Sequence, residues 1–219
     1  AIIDHAVNFR GAIMKQQEKT QRTQERILDA ALVEFGEKGF EAASINVICA
    51  ESQIPKGLLY HNFKGKDDLY LQCVQLCYHE MTEYLSSQER ACRGTQEDTK
   101  MLLTLRQRFF SDHPYHANLF FRALLQPPKH LLPQLKEVRR DYDSFCTAHY
   151  RNTLAGLSLR DGVTEEMALG YFTIFMEMFN GYFQSKADQG GDYKALMEAH
   201  EERLFEILDM MLYGIVKQN

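Results

Sequence analysis

The side chains of this 219-residue chain that could do chemistry fall into a few small sets. His79-Glu80 and His200-Glu201 each begin the HExxH zinc pattern, but Glu83 and Leu204 stand where the second histidine is required. His113 and His116 sit three apart and supply two ligands of the four a tetrahedral metal site needs. Cys73 and Cys77 would share one face of a helix and could form half of a metal or redox site, but two such cysteines also serve as small apolar core residues. No second ligand pair accompanies them, no GxSxG elbow or phosphate-cradling glycine loop occurs, and no metal or cofactor is implied. The remaining set is the stretch IPKGLLYHNFKGKDDLY, residues 54–70. It carries Lys56, Lys64 and Lys66 with no acid before Asp67, and between them Tyr60 and His61. Cations and a hydroxyl packed this closely suit phosphate oxygens.

The elements that must position these groups read as helices throughout, so the expected fold class is all-α. Ile27, Leu28, Ala31 and Phe35 make one apolar face of a helix from about Thr20 to Lys38, which Gly39 ends. Ser44 is placed to N-cap a short second helix, Ile45 to about Glu51. The turn Ser52-Gln53-Ile54 leads to a third helix over about 55–62, with Pro55 at its first position. A fourth helix follows Gly65, with Asp67 and Asp68 complementing its dipole, and runs towards Ser86. The polar run from Ser87 to Asp98 reads as a bend. Further helices are expected over about Glu97–Phe110, from Pro114 to before Pro127-Pro128, and over about Pro133–Leu157. A loop precedes a helix capped by Thr164, with Glu165 and Glu166 in its first turn, and Gly190-Gly191 separates that helix from a last one over Asp192–Val216.

Three regions follow from this reading. Residues 1–20 are set aside as an N-terminal extension or expression remnant, with Met14 as a plausible natural start; 21–66 hold the short helices; 67–219 form the larger domain. A hydrophobic fraction of 45% supports a packed core. No apolar run is long enough to span a bilayer, no secretory signal is visible, and the odd set of five cysteines (49, 73, 77, 92 and 146) follows no disulfide framework. A reducing cytoplasm is the expected location. The formal charge of −5 does not favour nucleic acid as a partner, but the local surplus in 54–66 does.

Three short helices with a tight turn between the second and third make a helix-turn-helix, whose third helix enters the DNA major groove. Leu59 and Phe63 would then face inward, Tyr60 would offer its ring to the core and its hydroxyl to a phosphate, and Leu58 and His61 would point towards bases. Lys56 and Lys66 would meet phosphates, and Gly57 would let the backbone come close. Residues 26–70 resemble the N-terminal domain of the tetracycline-repressor (TetR) family of bacterial regulators, through Phe35, Lys38-Gly39-Phe40, Ser44, Ile48, Ala50, Lys56-Gly57, Leu59-Tyr60, Phe63, Lys66 and Leu69. The resemblance implies DNA contacts at Ser44, Lys56, Gly57, Leu58, Tyr60, His61 and Lys66, with Arg22 or Thr23 at the start of the first helix. With no catalytic motif in the chain, no enzymatic activity is expected. Three positions depart from the family pattern. Ser52-Gln53 replaces a usual Ala-Gly at the turn, so Gln53 is expected in a left-handed conformation. Pro55 precedes Lys56 where a small polar residue is common, and Leu58 stands where threonine is common.

Residues 167–184, MALGYFTIFMEMFNGYFQ, are apolar nearly all round, which calls for burial on more than one side. The last helix adds a stripe of Leu204, Ile207, Leu208, Met211 and Ile215. Two such helices from each of two chains would form a four-helix interface, as the resemblance also implies, and a homodimer would read two half-sites of a palindromic operator. A small hydrophobic or aromatic effector would sit between central helices carrying Phe109, His113, His116, Phe120, Tyr150, Phe172, Phe175, Met176 and Phe179. The function expected is a dimeric repressor released from DNA by that effector. Two other readings are a DNA-binding protein without effector, against which the size of the second domain argues, and a helical-bundle enzyme, which would have to assemble its catalytic groups from distant positions.

Overall fold

The computed structural model describes residues 2–88 and 96–216. Cys92 and most of the polar 87–98 stretch lie outside the described residues. Within them the chain is helical: α1 (Ile2–Ala42), α2 (Ile45–Ser52), α3 (Lys56–Asn62), α4 (Lys66–Gln88), α5 (Gln96–Asp112), α6 (Pro114–Leu125), α7 (Leu132–Ala155), α8 (Glu165–Asp188) and α9 (Tyr193–Ile215). A single 3-10 turn, Lys129–Leu131, precedes α7. The chain divides into two compact units, residues 1–73 and 74–219.

In the first unit α1 begins well before Thr20 and is broken at Gly39, whose φ of 74° and ψ of 172° are not helical. Only glycine adopts that backbone at little cost. The break turns the Phe40 ring onto Tyr70, edge-on at 5.1 Å, and Tyr70 meets Phe35 at the same distance. Around this aromatic group Ile27, Ile48, Leu59, Phe63 and Leu69 are fully buried. Each such side chain contributes roughly 1.5–3 kcal/mol relative to exposure, which is how helices as short as α2 and α3 are held; neither could persist alone.

Two local features differ from expectation. Ser44 occupies the N-cap of α2, but its side chain makes no capping bond. Instead its backbone N–H donates to Glu34 Oε1 at 2.8 Å, and Glu34 is itself buried and paired with Lys38. Pro55 is the N-cap of α3 rather than its first helical residue, a one-residue shift of the size by which helix boundaries ordinarily vary.

The second unit packs α5 to α9 together with the C-terminal part of α4. Its helices start where their caps are: Thr164 Oγ1 accepts from Met167 N, and Asp192 Oδ1 accepts from Lys194 N and Ala195 N. The loop before α8 is pinned rather than loose, because Leu159 forms an isolated antiparallel bridge with Val216 and Arg160 N donates to Ile215 O. Leu204, Leu208, Met211 and Ile215 of α9 are buried within the unit, and Ile207 is half-buried. The stripe expected to face a partner chain is therefore core. Exposed apolar side chains stand instead on α8, at Met167, Tyr171, Ile174, Met178 and Tyr182, with Met210 on α9. The α8 spacing of three and four residues places those five on one face. Among the described residues no helix is long and apolar enough to cross a membrane.

Candidate functional site

In the first unit the α2–α3 pair is fixed from behind. Arg26 Nη2 donates to Ser52 O at 2.6 Å, and Ser52 Oγ donates to Ile48 O at 2.6 Å. The turn closes through Gln53 N to Ala50 O and Ile54 N to Cys49 O, with Gln53 left-handed at φ 53° and ψ 37°. Leu59 and Phe63 lock α3 from inside. The outer face of α3 then presents Lys56, Gly57, Leu58, Tyr60 and His61, all exposed, Leu58 by 40% and Tyr60 by 48%. Tyr60 contributes less of its ring to the core than expected. A Cβ at Gly57 would meet nothing within 4 Å, so the protein itself does not require glycine there.

The other residues expected at DNA are placed less uniformly. Lys56 Nζ reaches Asn46 Oδ1 of α2 at 3.2 Å, on the exposed side. Lys66 is half-buried, with Nζ 3.2 Å from Glu41 O and 4.7 Å above the Phe40 ring, so it joins the start of α4 to the end of α1. Ser44 is half-buried, Arg22 is exposed, and Thr23 donates its hydroxyl to Lys19 O on the same helix.

The second unit contains a partly open cavity of about 320 Å³. Its walls are mostly apolar, and it draws Phe120 from α6, Tyr150 from α7, and Phe172 and Met176 from α8. Tyr150 and Phe172 stack at 4.4 Å. The other five residues expected at an effector site lie outside the lining. Phe109 is buried against His113 and His116; His116 Nε2 lies 2.7 Å from Glu80 Oε2; Phe175 and Phe179 pack on each other. Aromatic residues on these helices mostly serve the core, and the sequence alone does not separate those that reach the cavity. Among the described residues no three metal-binding side chains come together.

A polar cluster stands at the cavity wall. Arg106 donates from Nη1 to Tyr142 OH at 3.2 Å and from Nη2 to Glu201 Oε1 at 2.7 Å. Burial pushes the Glu201 carboxyl up, but the Arg106 guanidinium and the His200 ring more than offset it and hold it below its usual range. His200 lies 3.1 Å from Asn180 Oδ1, ringed by Phe121, Phe179 and Phe183. Burial lowers its pKa. Burial also raises the thiols of Cys49, Cys77 and Cys146, the last to about 11. These thiols are not thiolate nucleophiles near neutral pH. The arrangement can bind and orient a small molecule.

Residues 27–73 match the family model for bacterial regulatory proteins of the tetR family, and residues 95–215 match that of the tetracyclin repressor-like C-terminal domain. The chain belongs to the TetR family. Two relatives share the N-terminal part. The HTH-type transcriptional regulator UidR of Escherichia coli is 45% identical over 81 residues, and the TetC protein of transposon Tn10, also of Escherichia coli, is 30% identical over 79. These matches take in 37% and 36% of this chain, and they span only 36% and 40% of the two relatives. The crystal structure of the regulator FadR from Bacillus subtilis in complex with stearoyl-CoA superposes with a TM-score of 0.57. It is 17% identical and covers 81% of this chain and 95% of its own, a likeness of fold.

In this TetR-family chain the groups that the sequence did not single out are Arg106, Tyr142 and Asn180, while His200 and Glu201 stood out only as an incomplete zinc pattern. Arg106 and Glu201 are 95 positions apart. Each reads as an ordinary surface charge on an amphipathic helix until the partner is seen. The one local signal was the buried side of α9, where His200 falls four residues before Leu204 on the apolar face.

Proposed function

We propose that the protein is a dimeric DNA-binding transcriptional regulator, a repressor released from a palindromic operator by a small, mainly hydrophobic effector. The observation that carries this reading is the outer face of α3, which sets Lys56, Tyr60 and His61 beside an approachable backbone at Gly57 on a helix clamped from within. Such a face meets phosphates through lysine and tyrosine and base edges through Leu58 and His61. In this reading Ser44, Arg22 and Thr23 add further DNA contacts, and Lys66 ties the start of α4 to the end of α1. Repression is supported by the repressor-like C-terminal domain.

Dimerisation through the last two helices is supported by the apolar face of α8. A dimer that reads a palindrome needs its two α3 helices about 34 Å apart, the spacing of half-sites one turn apart. The cavity in the second unit is the effector site in this reading, with Phe120, Tyr150, Phe172 and Met176 as its aromatic and thioether walls. An effector acts only by binding the DNA-free conformation more tightly than the DNA-bound one.

Selection of bound duplexes from a random pool tests the reading. Enrichment of a palindrome with half-sites one turn apart is the expected result. Recovery of no preferred sequence, or of a single unrepeated half-site, would refute a dimeric operator-binding regulator.

A further inference from the structure

Among the described residues, three side chains that line the cavity carry a polar atom with no hydrogen-bond partner: Arg106 Nε, Thr99 Oγ1 and Tyr150 OH. All three residues are more than nine-tenths buried, at 6%, 8% and 2% exposure. A buried donor left unpaired is costly, so three around one cavity call for an explanation. Glu201 Oε2 is also unpartnered, but Glu201 does not line the cavity.

The three groups stand at two ends. Arg106 and Thr99 are seven residues apart on α5, two turns, or about 10 Å along the axis. Helix α7 runs antiparallel beside it. Tyr142 meets Arg106, and His149 Nε2 lies 3.1 Å from Asp98 O. Tyr150 therefore belongs at the Thr99 end. Between the two ends the wall is mostly apolar, with Leu103, Phe120, Met176 and Leu204, and with Cys146 and Thr147 from α7. The ends differ in kind. One offers a guanidinium N–H, which can only donate, and the other offers two hydroxyls.

Charge narrows the choice. Both guanidiniums at the cavity already hold a carboxylate, Arg106 with Glu201 at 2.7 Å and Arg139 with Asp143 at 2.8 Å. Lys136 also lines the cavity, but it is exposed at the rim, so a carboxylate carried to the inner end beside Arg106 would be a further buried charge without a counter-ion there, which is costly. A neutral oxygen acceptor meets no such cost.

We propose that the cavity takes an uncharged, elongated molecule with an apolar middle and a carbonyl-type oxygen at each end, one accepting from Arg106 Nε–H and the other from the hydroxyls of Tyr150 and Thr99. This rests on the reading of the cavity as the effector site and names the chemistry of the effector.

The test is calorimetric titration of the full chain with four probes on one skeleton: naphthalene with acetyl groups at opposite ends, its mono-acetyl analogue, its diethyl analogue, and the matching dicarboxylate. The diacetyl compound is expected to bind at least about tenfold tighter than the diethyl and dicarboxylate compounds, with the mono-acetyl between, each carbonyl contributing about one hydrogen bond. Tyr150→Phe and Thr99→Val remove hydroxyls that have no protein partner, so the fold does not depend on them. Each is expected to weaken the diacetyl compound about fivefold and leave the diethyl compound unchanged. A dicarboxylate that binds tightest, a diacetyl compound no tighter than the diethyl, variants with unaltered affinity, or no binding by any probe would each overturn the proposal. Competition with selected DNA separates the two claims. A tight dicarboxylate that releases DNA refutes the ligand chemistry and keeps the effector reading. A diacetyl compound that binds as expected, yet leaves DNA affinity unchanged, refutes the effector reading alone.

Discussion

Arg106 Nη2 lies 2.7 Å from Glu201 Oε1 and ties α5 to α9 inside the second unit. Both side chains are nearly buried, at 7% and 13% exposure, so neither charge is well solvated by itself. Removing one partner leaves the other charge uncompensated. Glu201→Ala is expected to destabilise the protein by about 3–5 kcal/mol. The double variant Arg106→Met with Glu201→Leu removes both charges and is expected to recover most of that loss. Urea unfolding of the two variants checks both statements.

His200 gives a pH dependence whose sign can be worked out. Its pKa is lowered in the folded protein, chiefly by burial, against an ordinary value of 6.5. As pH falls below that value the unfolded chain gains a proton that the folded protein refuses. Stability is therefore full above 6.5 and falls as acid carries the pH towards the lowered value. The groups facing His200 are Glu201, Arg106 and Asn180, and Glu201 stays ionised throughout this window because its own pKa is held below 4.5. Melting temperature is expected to drop more between about pH 7.5 and 5.5 in the wild type than in His200→Gln. Equal slopes would remove His200 from the account.

Gln53 is, among the described residues, the one non-glycine side chain with positive φ, at 53°. Its left-handed backbone costs roughly 1–2 kcal/mol. Glycine relieves that cost but loses more chain entropy on folding, roughly 0.5–1 kcal/mol. Gln53→Gly is accordingly expected to stabilise the first unit by about 0.5–1 kcal/mol, read as a higher denaturation midpoint.

Lys56 and Tyr60 are exposed on α3, so their substitution leaves the core untouched. Lys56→Ala is expected to weaken binding to selected DNA and reduce the slope of log affinity against log salt by about one. Tyr60→Phe removes one phosphate-directed hydroxyl and is expected to cost about three- to tenfold in affinity. Circular dichroism and sedimentation should be unchanged for both. Loss of helicity or of the oligomer would show that α3 is structural.

Met178 is 70% exposed and Ile174 stands one turn before it on α8. A glutamate at either position would be harmless on a surface that faces water and costly in an apolar interface. Ile174→Glu with Met178→Glu is expected to yield monomers by sedimentation equilibrium with unchanged helicity. A variant that remains dimeric would move the interface elsewhere.

Local chemistry settled much of this protein before any tertiary contact was known. Gly39, Ser44, Thr164 and Asp192 mark helix ends, and the apolar positions of α3 fall on one side, because caps, breakers and helical period act over a few residues. The same locality made the left-handed Gln53 foreseeable from a turn that lacks glycine.

Folding in three dimensions decided what each apolar or charged face meets. The stripe on α9 and that on α8 look alike along the chain, yet one is core and the other faces outward. Four of nine aromatic or soft candidates reach the cavity, and five pack elsewhere. Arg106 finds Glu201 across 95 positions. Periodicity tells which side of a helix is apolar, but burial and ion pairing depend on which helices lie beside it, and that is set by packing between segments far apart in the chain.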